Sequence, residues 1–206
     1  MPVFFQHPVD AGTRLGIWKI EENEEFFKRN VPQHRDVTHP HKRLQHLAGR
    51  FLLQFLYADF PYELIEIADT RKPFLRNEQY HFSISHCGDY AAAIVSNNNR
   101  VGIDIELITP RIERLEHKFL SAREADIFGK RGNEGYAFPT LAWSAKEAVF
   151  KWYGDGEVDF RRHIQLRDLD TGRQVIDCLF TPNSSRLEIH YRRFDTLLLA
   201  WIVTRK

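Results

Sequence analysis

Tyr80–His86 (YHFSISH), Tyr90–Ser96 (YAAAIVS) and Arg100–Leu107 (RVGIDIEL) are three short apolar-rich runs, separated by Gly88-Asp89 and by Asn97-Asn98-Asn99. Asn, Asp and Gly tolerate the positive φ of tight turns, so the stretch predicts three strands in an antiparallel meander. The third run says most about chemistry. Side chains alternate faces along a strand, so Val101, Ile103, Ile105 and Leu107 point into a core while Asp104 and Glu106 lie side by side on the opposite face. Two neighbouring carboxylates repel each other. Pairing with Lys or Arg on an exposed face would relieve the repulsion, and so would a divalent cation. Hard oxygen ligands of this kind suit Mg²⁺, with Mn²⁺ able to take the same place.

Upstream, Thr13–Ile20 reads as a strand and Glu21–Arg29 as a helix. Leu44, Leu47, Phe51, Leu52 and Phe55 recur at helical spacing and predict a second helix over Thr38–Tyr57, with Pro40 tolerated in its first turn. This helix overlaps a basic stretch carrying His34, Arg35, His39, His41, Lys42, Arg43, His46 and Arg50. Arg43 and Arg50 fall along one side, either as a solvated flank or as an anion site. Downstream, Ser121-Ala-Arg-Glu124 is a capping-box pattern that opens a helix stopping near Gly129. Lys130–Gly135 reads as a polar loop. Thr140–Tyr153 reads as a helix closed by Gly154-Asp155-Gly156. Strands follow at His163–Arg167, Val175–Phe180, Leu187–Tyr191 and Thr196–Val203, the first two parted by the Thr171-Gly172 turn.

Helices followed by strands, twice over, predict an α+β fold of two similar lobes, each a small antiparallel sheet packed with helices. The expected division is an N-terminal lobe over 1–104 and a C-terminal lobe over 105–206, with the active site in the cleft between them. The chain of 206 residues suits one large domain or two such lobes. Hydrophobic residues at 43% and charged residues at 28% describe a soluble globular protein, not a disordered chain. A net charge of +1 argues against a dedicated nucleic-acid binder, so any anion binding must come from local clusters. Two cysteines make no disulfide framework and suit a reducing compartment, although the one pair could in principle bridge. With no basic-then-apolar leader and no apolar run long enough for a membrane span, the expected address is the cytoplasm.

Trp143-Ser144-Ala145-Lys146-Glu147-Ala148-Val149-Phe150-Lys151 lies on the last predicted helix. Ala142, Ala145, Val149 and Trp152 form its core stripe. Trp143, Glu147 and Lys151 stack on a mixed aromatic and charged flank, with Lys146 adjacent. This flank is either an ordinary Glu147–Lys151 surface pair or a third carboxylate beside two ammonium groups. Two smaller signals remain. Thr70-Arg71-Lys72-Pro73-Phe74 is a basic turn ahead of a strand. In Ser85-His86-Cys87, neighbours on an extended chain face opposite sides, so His86 is poorly placed to activate either one; it is structural or bonds a phosphate oxygen.

Taken together, these motifs resemble the 4′-phosphopantetheinyl transferases over about residues 40–153. Phe82-Ser83-Ile84-Ser85-His86 is similar to that family's F-x-x-S-H block, and Gly102-Ile103-Asp104-Ile105-Glu106 to its G-[IV]-D-[IVL]-E block. Trp143–Lys151 is similar to W-x-x-K-E-[AS]-x-x-K. Arg71-Lys72-Pro73-Phe74 resembles the G-K-P-[YF] turn, with Arg71 in place of the usual Gly. The length matches the larger, monomeric branch of two similar lobes, the surfactin-synthetase-activating type.

The resemblance implies transfer of the phosphopantetheine arm of coenzyme A to a serine of an apo acyl or peptidyl carrier protein, with release of 3′,5′-ADP. It implies Mg²⁺ on Asp104, Glu106 and Glu147. Glu147 would take the serine proton and Lys151 would serve the leaving group, with Asp104 as a catalytic metal ligand. Lys72, Ser85, His86, Lys146 and one of Arg43 or Arg50 would hold the coenzyme. Two alternatives stand beside it: another Mg²⁺-dependent phosphotransfer or phosphohydrolase enzyme, and a non-enzymatic module that binds through residues 34–50.

Overall fold

The structure is a computed structural model that describes residues 3–31, 36–130 and 134–205. In chain order its strands are β1 (Val3–Asp10), β2 (Thr13–Lys19), β3 (Ile65–Ile67), β4 (Pro73–Leu75), β5 (His81–Cys87), β6 (Tyr90–Ser96), β7 (Asn99–Leu107), β8 (Ile164–Asp170), β9 (Val175–Phe180), β10 (Ser185–Phe194) and β11 (Leu197–Arg205). The helices are α1 (Glu24–Asn30), α2 (Pro40–Leu56), α3 (Glu116–Phe119), α4 (Ala122–Phe128) and α5 (Ala137–Tyr153). The fold is α+β. One sheet runs β1-β2-β6-β5, a second runs β7-β11-β10-β9-β8, and β3 with β4 makes a small hairpin.

Each large sheet carries one long helix. His39 caps α2 by accepting from the Lys42 amide, and Pro40 sits where a missing N–H costs nothing. Leu47, Ala48, Leu52 and Leu53 then seal against Trp18, Phe82, Ala91, Ala93 and Val95 of the first sheet. On the second sheet, Ala142, Ala145, Ala148, Val149 and Trp152 of α5 pack over Leu198, Ala200 and Ile202. Gly154, at φ +77°, ends α5 in the left-handed conformation that glycine adopts freely. The Ser121–Glu124 capping box forms as its spacing predicts, at the start of α4. Among the described residues no helix is long and apolar enough to cross a membrane.

The meander does not continue through its third strand. β5 and β6 pair as a hairpin, but β7 pairs with β11 along its whole length, from Asn99 opposite Arg205 to Leu107 opposite Leu197. The turn after β6 explains the departure. Ser96 Oγ accepts from the Asn98 and Asn99 amides, and Asn99 Nδ2 donates to Asp10, so the chain is bent from the first sheet into the second. The sheets therefore part at residues 97–98, ahead of the expected seam near 105. β7 still runs beside β5, joined by side chains and not by a backbone ladder: the Ile103 amide donates to Ser83 Oγ at 3.2 Å and the Leu107 amide to Cys87 Sγ at 3.4 Å.

The alternation read in β7 is present. Val101, Ile103 and Ile105 join Leu15, Ile17, Ala92 and Ile94 in a core between the two sheets. Asp104 and Glu106 consequently face α5. Gly102 permits the close approach: a Cβ there would lie 2.1 Å from the Ala148 carbonyl oxygen. β1, which the sequence reading left unassigned, pairs with β2 at the edge of the first sheet.

Candidate active site

The acidic face of β7 meets the mixed flank of α5. Asp104 is 2% exposed. Its Oδ1 accepts from Lys151 Nζ at 2.6 Å and from Ser85 Oγ at 2.8 Å, and Lys151 also donates to Ser85 Oγ at 2.8 Å. Asp104 Oδ2 is buried with no partner among the described residues. Glu106 is held at both oxygens: Trp143 Nε1 donates to Oε1 at 3.1 Å, and the Cys87 thiol donates to Oε2 at 3.3 Å.

Three groups at this junction are shifted by their surroundings. Burial, then the charges of Asp104 and Glu106, push the Glu147 carboxyl up to about 7 against the pull of Lys151. Burial and Asp104 raise Glu106 as well. Burial and the Glu106 charge push the Cys87 thiol up to about 12, which keeps its proton on.

Basic groups stand nearby. The His86 ring reaches solvent, and its partial enclosure, with Lys151 close by, lowers its pKa. Lys72 leaves the β3–β4 turn and donates to the Trp152 carbonyl at 3.3 Å; burial and then Arg100 bring its ammonium down to about 8. A cavity of about 230 Å³ lies between Lys72 and Lys151, walled by Phe82, Ser83 and Phe150. A larger one of about 480 Å³ opens on the other side of Lys72, toward Tyr80, Arg100 and Tyr153. Arg71 sits at φ +67°, so the position where the similar turn has Gly requires a left-handed backbone, and an arginine there is strained by about 1 kcal/mol.

Three residues expected at the coenzyme are not among those lining the two cavities. Lys146 is fully buried. It bonds the carbonyls of Phe119, Phe160 and Ile164 and pairs with Glu124, so it braces α5 and is closed to ligand. Arg43 pairs with Glu24 and donates to the carbonyls of Val37 and Thr38, while its Nε has no partner among the described residues. Arg50 is buried, on a helix stretch whose neighbours face the first sheet. His34, Arg35 and residues 131–133 of the expected polar loop lie outside the described residues. Sequence reading also missed the two donors on Glu106. The signals were available: Trp143 shares the flank of Glu147 and Lys151, and Cys87 shares the strand face of Ser83 and Ser85.

Among the described residues, no three His, Cys, Asp or Glu side chains are gathered closely enough to hold a metal as they stand. The donor chemistry nonetheless fits a hard divalent cation. Burial, and then neighbouring carboxylates, raise Glu106 and Glu147, and Asp104 keeps an oxygen beside them with no partner among the described residues.

Comparison with known proteins agrees with this arrangement. The 4′-phosphopantetheinyl transferase superfamily model matches residues 100–201, about half of the chain, and takes in β7 and α5. Enterobactin synthase component D of Escherichia coli (strain K12) is 32% identical over 126 residues, covering 59% of this chain and 60% of that protein. A 4′-phosphopantetheinyl transferase, AcpT, of Salmonella typhimurium is 32% identical over 116 residues, covering 55% of this chain and 60% of its own length. The similarity thus spans about three fifths of these relatives. The superfamily match includes the carboxylate strand and the helix that faces it, and on that ground the chain belongs to the 4′-phosphopantetheinyl transferase superfamily.

Proposed function

We propose that this protein transfers the 4′-phosphopantetheine arm of coenzyme A to a serine hydroxyl of an apo acyl or peptidyl carrier protein, releasing 3′,5′-ADP in a Mg²⁺-dependent reaction. One observation carries the reading: Lys151 pairs with Asp104, whose charge helps to raise Glu106 and Glu147, and the same Lys151 lines a cavity that Lys72 also lines. Acid groups for a cation and ammonium groups for phosphates stand together at the junction of the two sheets. One chain supplies both sheets, so a monomer suffices to build the cleft. The expected setting is the cytoplasm.

The residues divide the work as follows. Lys72 and His86 hold coenzyme phosphates in the cleft. Asp104, Glu106 and Glu147 would hold Mg²⁺ (or Mn²⁺), which when bound neutralises charge on the pyrophosphate. The carrier serine oxygen bonds to the phosphorus that bears the pantetheine arm, and the bond from that phosphorus to the bridging oxygen breaks. The serine proton passes to Glu147, which acts as the general base. Lys151 stabilises the charge that grows on the departing phosphate of 3′,5′-ADP. Ser85 orients Lys151 and Asp104 through its shared hydroxyl.

Chromatographic detection of 3′,5′-ADP tests the reading. Release that requires both an apo carrier and a divalent cation is the expected result. Release without a carrier would make the protein a coenzyme hydrolase instead.

A further inference from the structure

We propose that Cys87 and Trp143 are positioning residues that clamp the Glu106 carboxylate for a divalent cation; this rests on the reading of Glu106 as a metal ligand. The two donors come from opposite sides of the junction, Cys87 from β5 of the first sheet and Trp143 from α5 over the second. Each takes one oxygen, at 3.3 Å and 3.1 Å. Glutamate has three side-chain torsions, and two donors on separate oxygens fix the plane of its carboxylate. Each oxygen keeps a lone pair for a cation.

Both donors are themselves held. The Cys87 sulfur accepts from the Leu107 amide at 3.4 Å, which leaves its hydrogen for Glu106. The Trp143 ring lies edge-on to Phe119 at 5.2 Å and tilted over Phe160 at 5.5 Å, so its indole cannot swing. Indole nitrogen only donates, and a phenylalanine would fill the same space without that bond. Asp104 is arranged differently, with Lys151 and Ser85 both on Oδ1 and Oδ2 left open. The site therefore offers one carboxylate by a single free oxygen and the other in a fixed plane. Hydrogen-bond partners one layer behind a metal ligand commonly set 10–100-fold of its affinity.

The test is calorimetric titration of the full chain with Mn²⁺ in the presence of coenzyme A, with a thermal melt on each variant. Cys87→Ala and Trp143→Phe are each expected to weaken Mn²⁺ binding about tenfold, while Cys87→Ser, which keeps a donor, stays within a few-fold of the parent. A purely structural role would move the melts of these variants and leave Mn²⁺ affinity unchanged. If Glu106→Gln weakens binding but Cys87→Ala and Trp143→Phe do not, the clamp is overturned and the metal assignment stands. If only one of the two weakens it, the two-point clamp is likewise overturned. If Glu106→Gln itself binds Mn²⁺ like the parent, the ligand assignment falls and the clamp with it.

Discussion

Lys146 Nζ lies 2.6 Å from Glu124 Oε1, with the two side chains 0% and 2% exposed, so the charged pair is sealed inside the second half of the fold. Burial pulls the lysine down while Glu124 holds it up. Removing one member of such a pair strands the other charge. Lys146→Met is therefore expected to cost about 3–5 kcal/mol of stability. Coenzyme affinity, measured by calorimetry well below the lowered melting temperature, should be unchanged. A normal melt with lost coenzyme binding would instead return Lys146 to the ligand site.

Asp104→Asn keeps the shape of the side chain but removes the charge that pairs with Lys151 and that a divalent cation would share. Transfer activity should fall more than about 100-fold, since even groups one layer behind a metal ligand commonly cost 10–100-fold. Steady-state rates across a Mg²⁺ series check this. A rate near that of the parent, with an unaltered metal requirement, would show that Asp104 is not a ligand.

Lys72 gives the expected pH dependence. In the proposed role its ammonium would bind phosphate only when protonated, and burial brings its pKa down to about 8. Coenzyme affinity is therefore full below that value and declines as pH rises through about 8. Lys72→Arg should flatten the decline, because guanidinium stays charged. The stability of the free protein moves the other way. Between about 8 and the ordinary 10.5 the unfolded chain binds the extra proton, so stability rises with pH across that window. Calorimetry and denaturant melts from pH 7 to pH 10 read the two effects separately.

Gly102→Ala tests the approach of β7 to α5. The added Cβ meets backbone at both of its closest contacts, the Ala148 oxygen at 2.1 Å and the Trp152 nitrogen at 2.7 Å. Backbone cannot swing aside, so the helix must move. A loss of about 1–3 kcal/mol is expected, in the range of other overpacked cores. Activity should fall with it, because moving α5 separates Lys151 from Asp104. A denaturant melt paired with an activity assay distinguishes this from a harmless substitution.

The parts of the fold set by local periodicity and turn chemistry were legible in the sequence. The α2 apolar stripe, the Ser121 capping box, the Gly154 stop and the alternation of β7 all appear where residue spacing puts them. The partner of β7 was not legible. Its neighbour β11 lies about ninety residues downstream, and the Ser96–Asn99 bend that redirects the chain looks locally like a hairpin turn. In the site, the facing of Asp104, Glu106, Glu147 and Lys151 follows from two periodicities, of strand and of helix. The fates of Lys146 and Arg43 do not, because a cation beside a functional flank can equally well turn inward to carbonyl oxygens and a buried carboxylate. Only tertiary packing decides between those ends.

The central claim is group transfer from coenzyme A to a protein serine. Intact-mass measurement of an apo carrier protein, incubated with this protein, coenzyme A and Mg²⁺, tests it most directly. The predicted result is a gain of one phosphopantetheine on the carrier, absent with EDTA and absent when the acceptor serine is replaced by alanine. An unchanged carrier mass across acyl and peptidyl carriers, under conditions where coenzyme A binds, would contradict it.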